Sequence, residues 1–403
     1  MPAARVESGR RSPATPVACV WGVMAMDLVR PLGRAGIGAA VVAEPGNPER
    51  FSRFTRAVID AAGDSEPDEQ LVERLIAFGR RQPSPPVLFY GDDKALWLAS
   101  HFRDRLREAF RFVMPDHGLV CDLVDKARFL GLAERLSLPV PRARVLAPAE
   151  QGPPSDLDLR FPIVLKPVTR LDYEPWEELE SSGKAYHVAS TEDLRVLWPR
   201  LAASQLVVVA QEMVRGHENQ ILSYHAYVDD KGCIVGEFTG QKIRTYPPAF
   251  GHTTALTVSA DREVAHVGRD ILRRLGFSGV VKFDFKRGPD GQLHLLEINP
   301  RFSLWHHPGA AAGVNIPALV HGDLTGRPRP VAVSARPGTT WVKAWRDPAA
   351  ARADGISLRR WMRWASRADT TSVLAWDDPM PFLRGMVWTR ARRRLSTPFA
   401  TPR

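Results

Sequence analysis

Two carboxylates, a carboxamide and a lysine stand at spacings that set them on one face of a β-hairpin: Lys282, Asp284, Glu297 and Asn299. Apolar and polar residues alternate over 280–286 and again over 293–299, with Gly288-Pro289-Asp290-Gly291 as the turn. Pairing Gly288 with Leu293 puts Asp284 opposite Glu297, Lys282 opposite Asn299, Phe283 opposite Ile298 and Phe285 opposite Leu296. A register one residue tighter would set charged residues against apolar ones, which a side-chain period of two disfavours. The polar face then offers hard oxygen ligands. They suit Mg2+, with Mn2+ as an alternative, because such a cation takes a few protein oxygens and fills its remaining positions with water and phosphate. An ordinary solvent-facing hairpin is the competing reading; the strongly apolar opposite face and the Asn299-Pro300-Arg301 that closes the second strand weigh against it.

Composition bounds the context of this hairpin. At 403 residues the chain has room for two or three domains with cores of their own. Cys19, Cys121 and Cys233 are scattered, without CxxC spacing, which argues against a disulfide framework or a zinc site and for a reducing, cytoplasmic setting. The longest apolar stretch, 17–26, is too short to cross a bilayer, and no small-residue cleavage site follows it, so a first strand is expected there. The net charge is +10, and residues 327–403 carry sixteen Lys or Arg against five Asp or Glu, so the basic character lies in the tail.

The elements that must position the hairpin can be read in order. Residues 1–15 are Pro-, Arg- and Ala-rich and are expected to be a disordered lead-in. Strand 17–21, helix 26–35 and strand 39–43 make a β-α-β start, followed by helix 71–80, strand 87–90 and helix 94–110. No GxGxxG is present, so no dinucleotide site is inferred. Asp92 and Asp93 sit where open sheets bind ligands, but capping of the next helix is the favoured explanation. A helix over 126–136 precedes strand 162–165, which delivers Lys166 at its end, a costly place for a charge unless it meets an anion or a structural salt bridge. Strand 206–210 runs into Gln211-Glu212-Met213-Val214, strands 221–228 and 234–239 form a hairpin, and a loop over 240–254 follows. Arg244 in that loop offers a guanidinium fork that matches phosphate or carboxylate oxygens, with a plain surface arginine as the alternative. Helix 263–275, stopped by Gly276, leads into the central hairpin. No GxxxxGK[ST] occurs, which excludes a P-loop.

This order of motifs resembles the ATP-grasp superfamily, and Glu297-Ile298-Asn299-Pro300-Arg301-Phe302 is similar to the form found in carboxylate-amine ligases related to D-aspartate ligase. The resemblance covers residues 15–325. It implies an α/β fold, α+β in the catalytic part: a Rossmann-like preATP-grasp domain over 16–121, then a two-lobed ATP-grasp domain over 122–326, with 327–403 as a basic Trp/Arg-rich extension. Carried over residue by residue, Lys126 and Lys166 would reach the ATP phosphates, Gln211, Glu212 and Val214 would hold adenine, and Glu218 would bind the ribose hydroxyls. Asp284, Glu297 and Asn299 would hold two Mg2+ ions, with Glu297 bridging. Lys282, Arg301 and Arg244 would stabilise charge on the transferring phosphoryl group or the tetrahedral intermediate. Segment 169–183, with Tyr173 and Trp176 where relatives carry glycines, would close over the phosphates, and Ser181-Ser182-Gly183-Lys184 would touch them.

The implied reaction is ATP-dependent amide formation through an acyl phosphate from a small-molecule carboxylate and an amine, amino acids among them. An ATP-binding partner without chemistry, or an enzyme of the carbamoyl-phosphate or carboxylase type, stands as the alternative on the same fold. A homo-oligomer is left open and nucleic acid is not expected. His306-His307 are not read as metal ligands, since neighbours on an extended segment point opposite ways; they would line the acceptor pocket or simply pack. The tail holds six of the eleven tryptophans, Trp341 and Trp345, Trp361 and Trp364, Trp376 and Trp388, with Arg359, Arg360, Arg363 and Arg367 among them. It would rest on anionic lipid, bind nucleic acid, or dock on the catalytic part.

Overall fold

Short runs of β-branched and small apolar residues, each ended by a turn or a cap, sort the chain into three sheets. The computed structural model describes residues 17–23, 25–62, 67–154, 156–169, 176, 185–248, 250–329 and 334–388. The lead-in 1–15, and the loop 169–183 with Ser181-Ser182-Gly183-Lys184 apart from Thr169 and Trp176, lie outside the described residues. Trp176 itself is fully buried against the core that holds Ile163, Leu165 and Val208.

The first sheet is parallel, with β1 (Ala18–Trp21), β2 (Ala39–Ala43), β3 (Thr55–Asp60) and β4 (Val87–Tyr90) in the order β3-β2-β1-β4. Every residue of β1, β2 and β4 is buried, the continuous apolar reading expected of a parallel sheet covered on both faces. The helix expected over 94–110 is two helices, Asp93–His101 and Arg103–Arg107; Phe102 leaves helical geometry between them (φ −95°, ψ 26°), and Leu106, Ala109 and Phe110 still reach the core.

The second sheet is antiparallel: β5 (Ala143–Leu146), β6 (Ile163–Pro167), β7 (Tyr186–Val188) and β8 (Val208–Glu212) in the order β5-β8-β6-β7. Helix Thr191–Ala203, capped by the Ser190 hydroxyl accepting from the Asp193 N–H, packs Leu194, Leu197, Trp198 and Leu201 into the core of this lobe.

The third sheet has seven strands in the order β13-β12-β9-β10-β11-β14-β15, formed by β9 (Ile221–Val228), β10 (Ile234–Tyr246), β11 (His252–Ser259), β12 (Gly279–Arg287), β13 (Leu293–Asn299), β14 (Thr340–Val342) and β15 (Thr370–Thr371). Leu222, Tyr224, Ala226, Val281, Phe283 and Phe285 line its apolar face beneath helices Lys126–Arg135 and Arg262–Leu275. The residues between them, Ser223, Lys282, Asp284 and Lys286, therefore point the other way.

Two sequence expectations change here. Strand β10 runs to Tyr246, so most of the supposed loop 240–254 is strand; irregularities between Lys242 and Thr245 bend the ladder as it passes from β9 to β11. In the hairpin, Asp284 does oppose Glu297 and Lys282 opposes Asn299, but a bulge follows Asp284, so Phe285 faces Leu295 and Arg287, not Gly288, faces Leu293. Of the alternatives for the tail, docking on the catalytic part is the one its contacts match: β14 pairs with β11 and β15 with β14, and fully buried Arg30 in helix Met26–Arg34 is ion-paired at 3.4 Å to buried Asp378 of the Asp378-Pro379-Met380-Pro381 segment. Trp341 is buried in β14 and donates to Asp27 at 3.1 Å. Among the described residues no helix is long and apolar enough to cross a membrane. Cys19, Cys121 and Cys233 are all free.

Candidate active site

The three sheets meet at a cleft of about 460 Å3. Its floor is the polar face of β9, β10, β12 and β13; one wall is β6 and β8, and the far end is the carboxyl side of β1 and β4. This is a volume that suits a nucleotide-sized ligand. Lys126, Lys166, Gln211, Glu212, Val214, Glu218, Lys282, Asp284, Glu297, Asn299 and Arg301 all line it.

Asp284 is 4% exposed, and the ladder explains how so buried a carboxylate is held. Ser223, opposite it on β9, donates to Oδ1 at 2.9 Å; Lys282 Nζ lies 2.6 Å and Lys242 Nζ 3.4 Å from Oδ2. Burial alone would raise the Asp284 pKa, but the two ammonium groups outweigh it and hold the carboxyl well below its usual range. Lys282 feels the reverse: burial pushes it down and Asp284 opposes the fall. Asn299 Oδ1 accepts from Arg301 at 3.2 Å, while its buried Nδ2 has no partner. Arg301 Nε donates to Asp93 at 2.6 Å, so the end of β13 is tied to the N-terminal sheet.

The oxygen donors fit a hard cation. Asp284 and Glu297 are cross-strand partners and Asn299 is the next residue but one on the same strand, so their oxygens share one face; the unpartnered Asn299 Nδ2 is a donor and suits an acceptor such as a phosphate oxygen. Among the described residues no cluster of three His, Cys, Asp or Glu side chains exists, and the set here is two carboxylates and a carboxamide, the composition favoured by Mg2+ rather than zinc.

On the wall, Lys126 Nζ donates to the Pro167 carbonyl at 2.8 Å and Lys166 Nζ to Gln211 Oε1 at 2.9 Å, which brings two cations to one edge of the cleft. Glu212 turns its carboxylate to Arg160, accepting from the Arg160 backbone N–H at 2.9 Å, and so offers a ligand chiefly its backbone. Glu218 lies 3.9 Å from Lys286, whose pKa is lowered by burial against the opposing pull of Glu218.

Arg244 is a correction. It does not line the cleft; it is 7% exposed, and its Nε and Nη2 bond Asp347 at 2.9 and 2.6 Å, with Trp364 beneath its guanidinium at 4.3 Å. The alternation of β10 instead delivers Lys242, which the loop reading of that segment hid. The bulge adds Leu296 to the floor beside Glu297 while Leu295 and Ile298 fill the core. Asp92 is the helix cap expected, accepting from Ala95 N–H at 2.7 Å, and also accepts from Val23 N–H at 2.7 Å. Gly22 permits this approach: its φ is +109°, and a Cβ there would come within 2.7 Å of Asp92 Oδ2. Gly240 likewise leaves room for Trp305, whose ring would lie 2.2 Å from an added Cβ.

His306 and His307 pack; neither lines the cleft. His306 is fully buried and burial pushes it down to about 4. A histidine held neutral in the fold contributes stability that is complete above the unfolded value and lost as pH falls through the folded one. Between pH ~6.5 and ~4, His306 should therefore cost the fold roughly 3 kcal/mol. Urea denaturation as a function of pH checks this: His306→Phe should flatten the acid limb, and an unchanged limb would place the sensitivity elsewhere.

The family model described as "ATP-grasp in the biosynthetic pathway with Ter operon" matches residues 242–345. Similar solved structures include an ADP complex of N5-carboxyaminoimidazole ribonucleotide synthetase (13% identity, 81% of this chain, 80% of that chain, TM-score 0.61). A biotin carboxylase from Campylobacter jejuni (15%, 82% and 75%, TM-score 0.60) and an L-amino acid ligase from Bacillus licheniformis (13%, 82% and 79%, TM-score 0.58) are similar to the same extent. No curated protein matches by sequence. The fold is the one these neighbours share, an ATP-grasp fold, and the ATP-grasp family model matches the part of the chain that holds the hairpin.

Proposed function

We propose that the chain is an ATP-dependent carboxylate-amine ligase. The observation that carries this is the hairpin register, which sets Asp284 against Glu297 and Lys282 against Asn299 on the floor of a cleft whose wall presents Lys126 and Lys166. In this reading adenine lies along the 211–214 backbone and Glu218 takes the ribose hydroxyls. Lys126 and Lys166 hold the phosphates, for which fixed cations at a partly dehydrated wall are well suited. Asp284, Glu297 and Asn299 would hold Mg2+ or Mn2+, which neutralises charge on the β- and γ-phosphates when bound.

A substrate carboxylate oxygen attacks the γ-phosphorus and ADP leaves. An amine then attacks the acyl carbon, loses a proton and expels phosphate. Lys282 and Arg301 lie beside the reacting groups and stabilise the negative charge that builds on the phosphoryl oxygens and then on the tetrahedral carbon centre. The proposed domain division is a preATP-grasp part over 16–121, an ATP-grasp part over 122–326 and a basic Trp/Arg-rich extension over 327–403 that docks on it. Three free thiols support a reducing, cytoplasmic setting.

The likeness to a biotin carboxylase favours one second reading, in which bicarbonate is the carboxylate. Phosphate release from Mg-ATP over a panel of amino acids, small carboxylates and bicarbonate separates them. Release that needs both a carboxylate and an amine is the expected result. Release driven by bicarbonate supports the second reading, and tight ATP binding without release from any panel member would refute both.

A further inference from the structure

Helix Leu358–Ala365 has two unlike faces. Its inner face is fastened: Trp361 Nε1 donates to Asp347 at 2.8 Å, and the Trp364 ring lies 4.3 Å under the Arg244 guanidinium. The outer face holds Leu358, 61% exposed, and Met362, 49% exposed one turn on, among exposed Arg359, Arg360 and Arg363, with exposed Arg367 just past the helix end. No acidic residue lies between Asp354 and Asp369.

We propose that this outer face is a docking surface for an anionic lipid membrane. Four guanidinium groups within nine residues complement a negatively charged headgroup layer, and the cytoplasmic leaflet is the anionic one. The two aliphatic side chains decide between lipid and nucleic acid. Leu358 and Met362 gain by entering the acyl boundary and gain nothing from a phosphodiester backbone. Unpaired bases need aromatic platforms, and here both indoles are turned inward. Because Trp361 and Trp364 pin the helix, the surface is presented ready-made, without a folding cost on contact. The association is reversible, as expected of one short helix.

The test is co-sedimentation of the full chain with vesicles of phosphatidylcholine alone and of phosphatidylcholine mixed with phosphatidylglycerol. Binding to the mixed vesicles only, lost as salt is raised, is the expected result. The double variant Arg359→Gln/Arg363→Gln should weaken partition about 30-fold. Leu358→Ser/Met362→Ser should weaken it several-fold at unchanged charge. Equal binding to neutral vesicles, undiminished binding by either variant, or capture of single- or double-stranded DNA without vesicle binding would each overturn the proposal. Both pairs of side chains are exposed, so loss of fold does not confuse the result.

Discussion

Glu297→Gln is expected to lower Mg-ATP-dependent phosphate release by about 10²–10³-fold while leaving the melting temperature nearly unchanged. The replacement keeps the shape of the side chain and removes one negative charge. Asp284 cannot compensate, because Lys282 and Lys242 already balance its charge at 2.6 and 3.4 Å. A cation would then be left with one neutralised carboxylate and the carboxamide of Asn299, and its affinity would fall with the charge count. Single-turnover phosphate release at saturating and at limiting Mg2+ measures the effect. Turnover within threefold of the parent at both concentrations would remove the hairpin from the reaction.

The second large effect concerns stability. Asp347 is fully buried and accepts four bonds: from Arg244 Nε and Nη2, from Thr254 Oγ1 at 2.8 Å and from Trp361 Nε1 at 2.8 Å. Asp347→Ala leaves the Arg244 cation buried without a partner, a change that costs about 3–5 kcal/mol. For a chain of this size the melting temperature should fall by about 4–6 °C. Arg244→Met/Asp347→Leu removes both charges and should recover much of the loss. If that double variant melts near the parent and still turns over ATP, Arg244 is a structural anchor that holds β10 and β11 in place at the cleft. A folded double variant without turnover would return Arg244 to the chemistry.

What the sequence determined by itself is what a period of two can carry. Lys282, Asp284, Glu297 and Asn299 share a face because alternation along two short strands and one turn leaves a single register with no charge facing the core. The same local logic placed strands β2, β4 and β9 at their observed bounds, since each is an apolar run ended by a turn or cap. Lys166 stood out because an ammonium at the end of an apolar strand needs a polar partner; the structure gives it Gln211 Oε1 and a place on the cleft wall.

Tertiary structure decided the rest, for a physical reason. Arg244 meets Asp347 across 103 residues, and no local pattern distinguishes an arginine that will meet phosphate from one that will meet a carboxylate on a distant helix. The bulge after Asp284 moves Leu296 onto the floor, a shift set by core packing of Leu295 and Ile298 rather than by the turn. Lys242 reaches Asp284 only because β10 continues past the point where its apolar alternation ends, held by hydrogen bonds to β11 that the sequence of β10 alone does not encode. The tail's joining of the large sheet through β14 rests on β11, more than eighty residues earlier, and its anchoring by Asp378 rests on Arg30, 348 residues away.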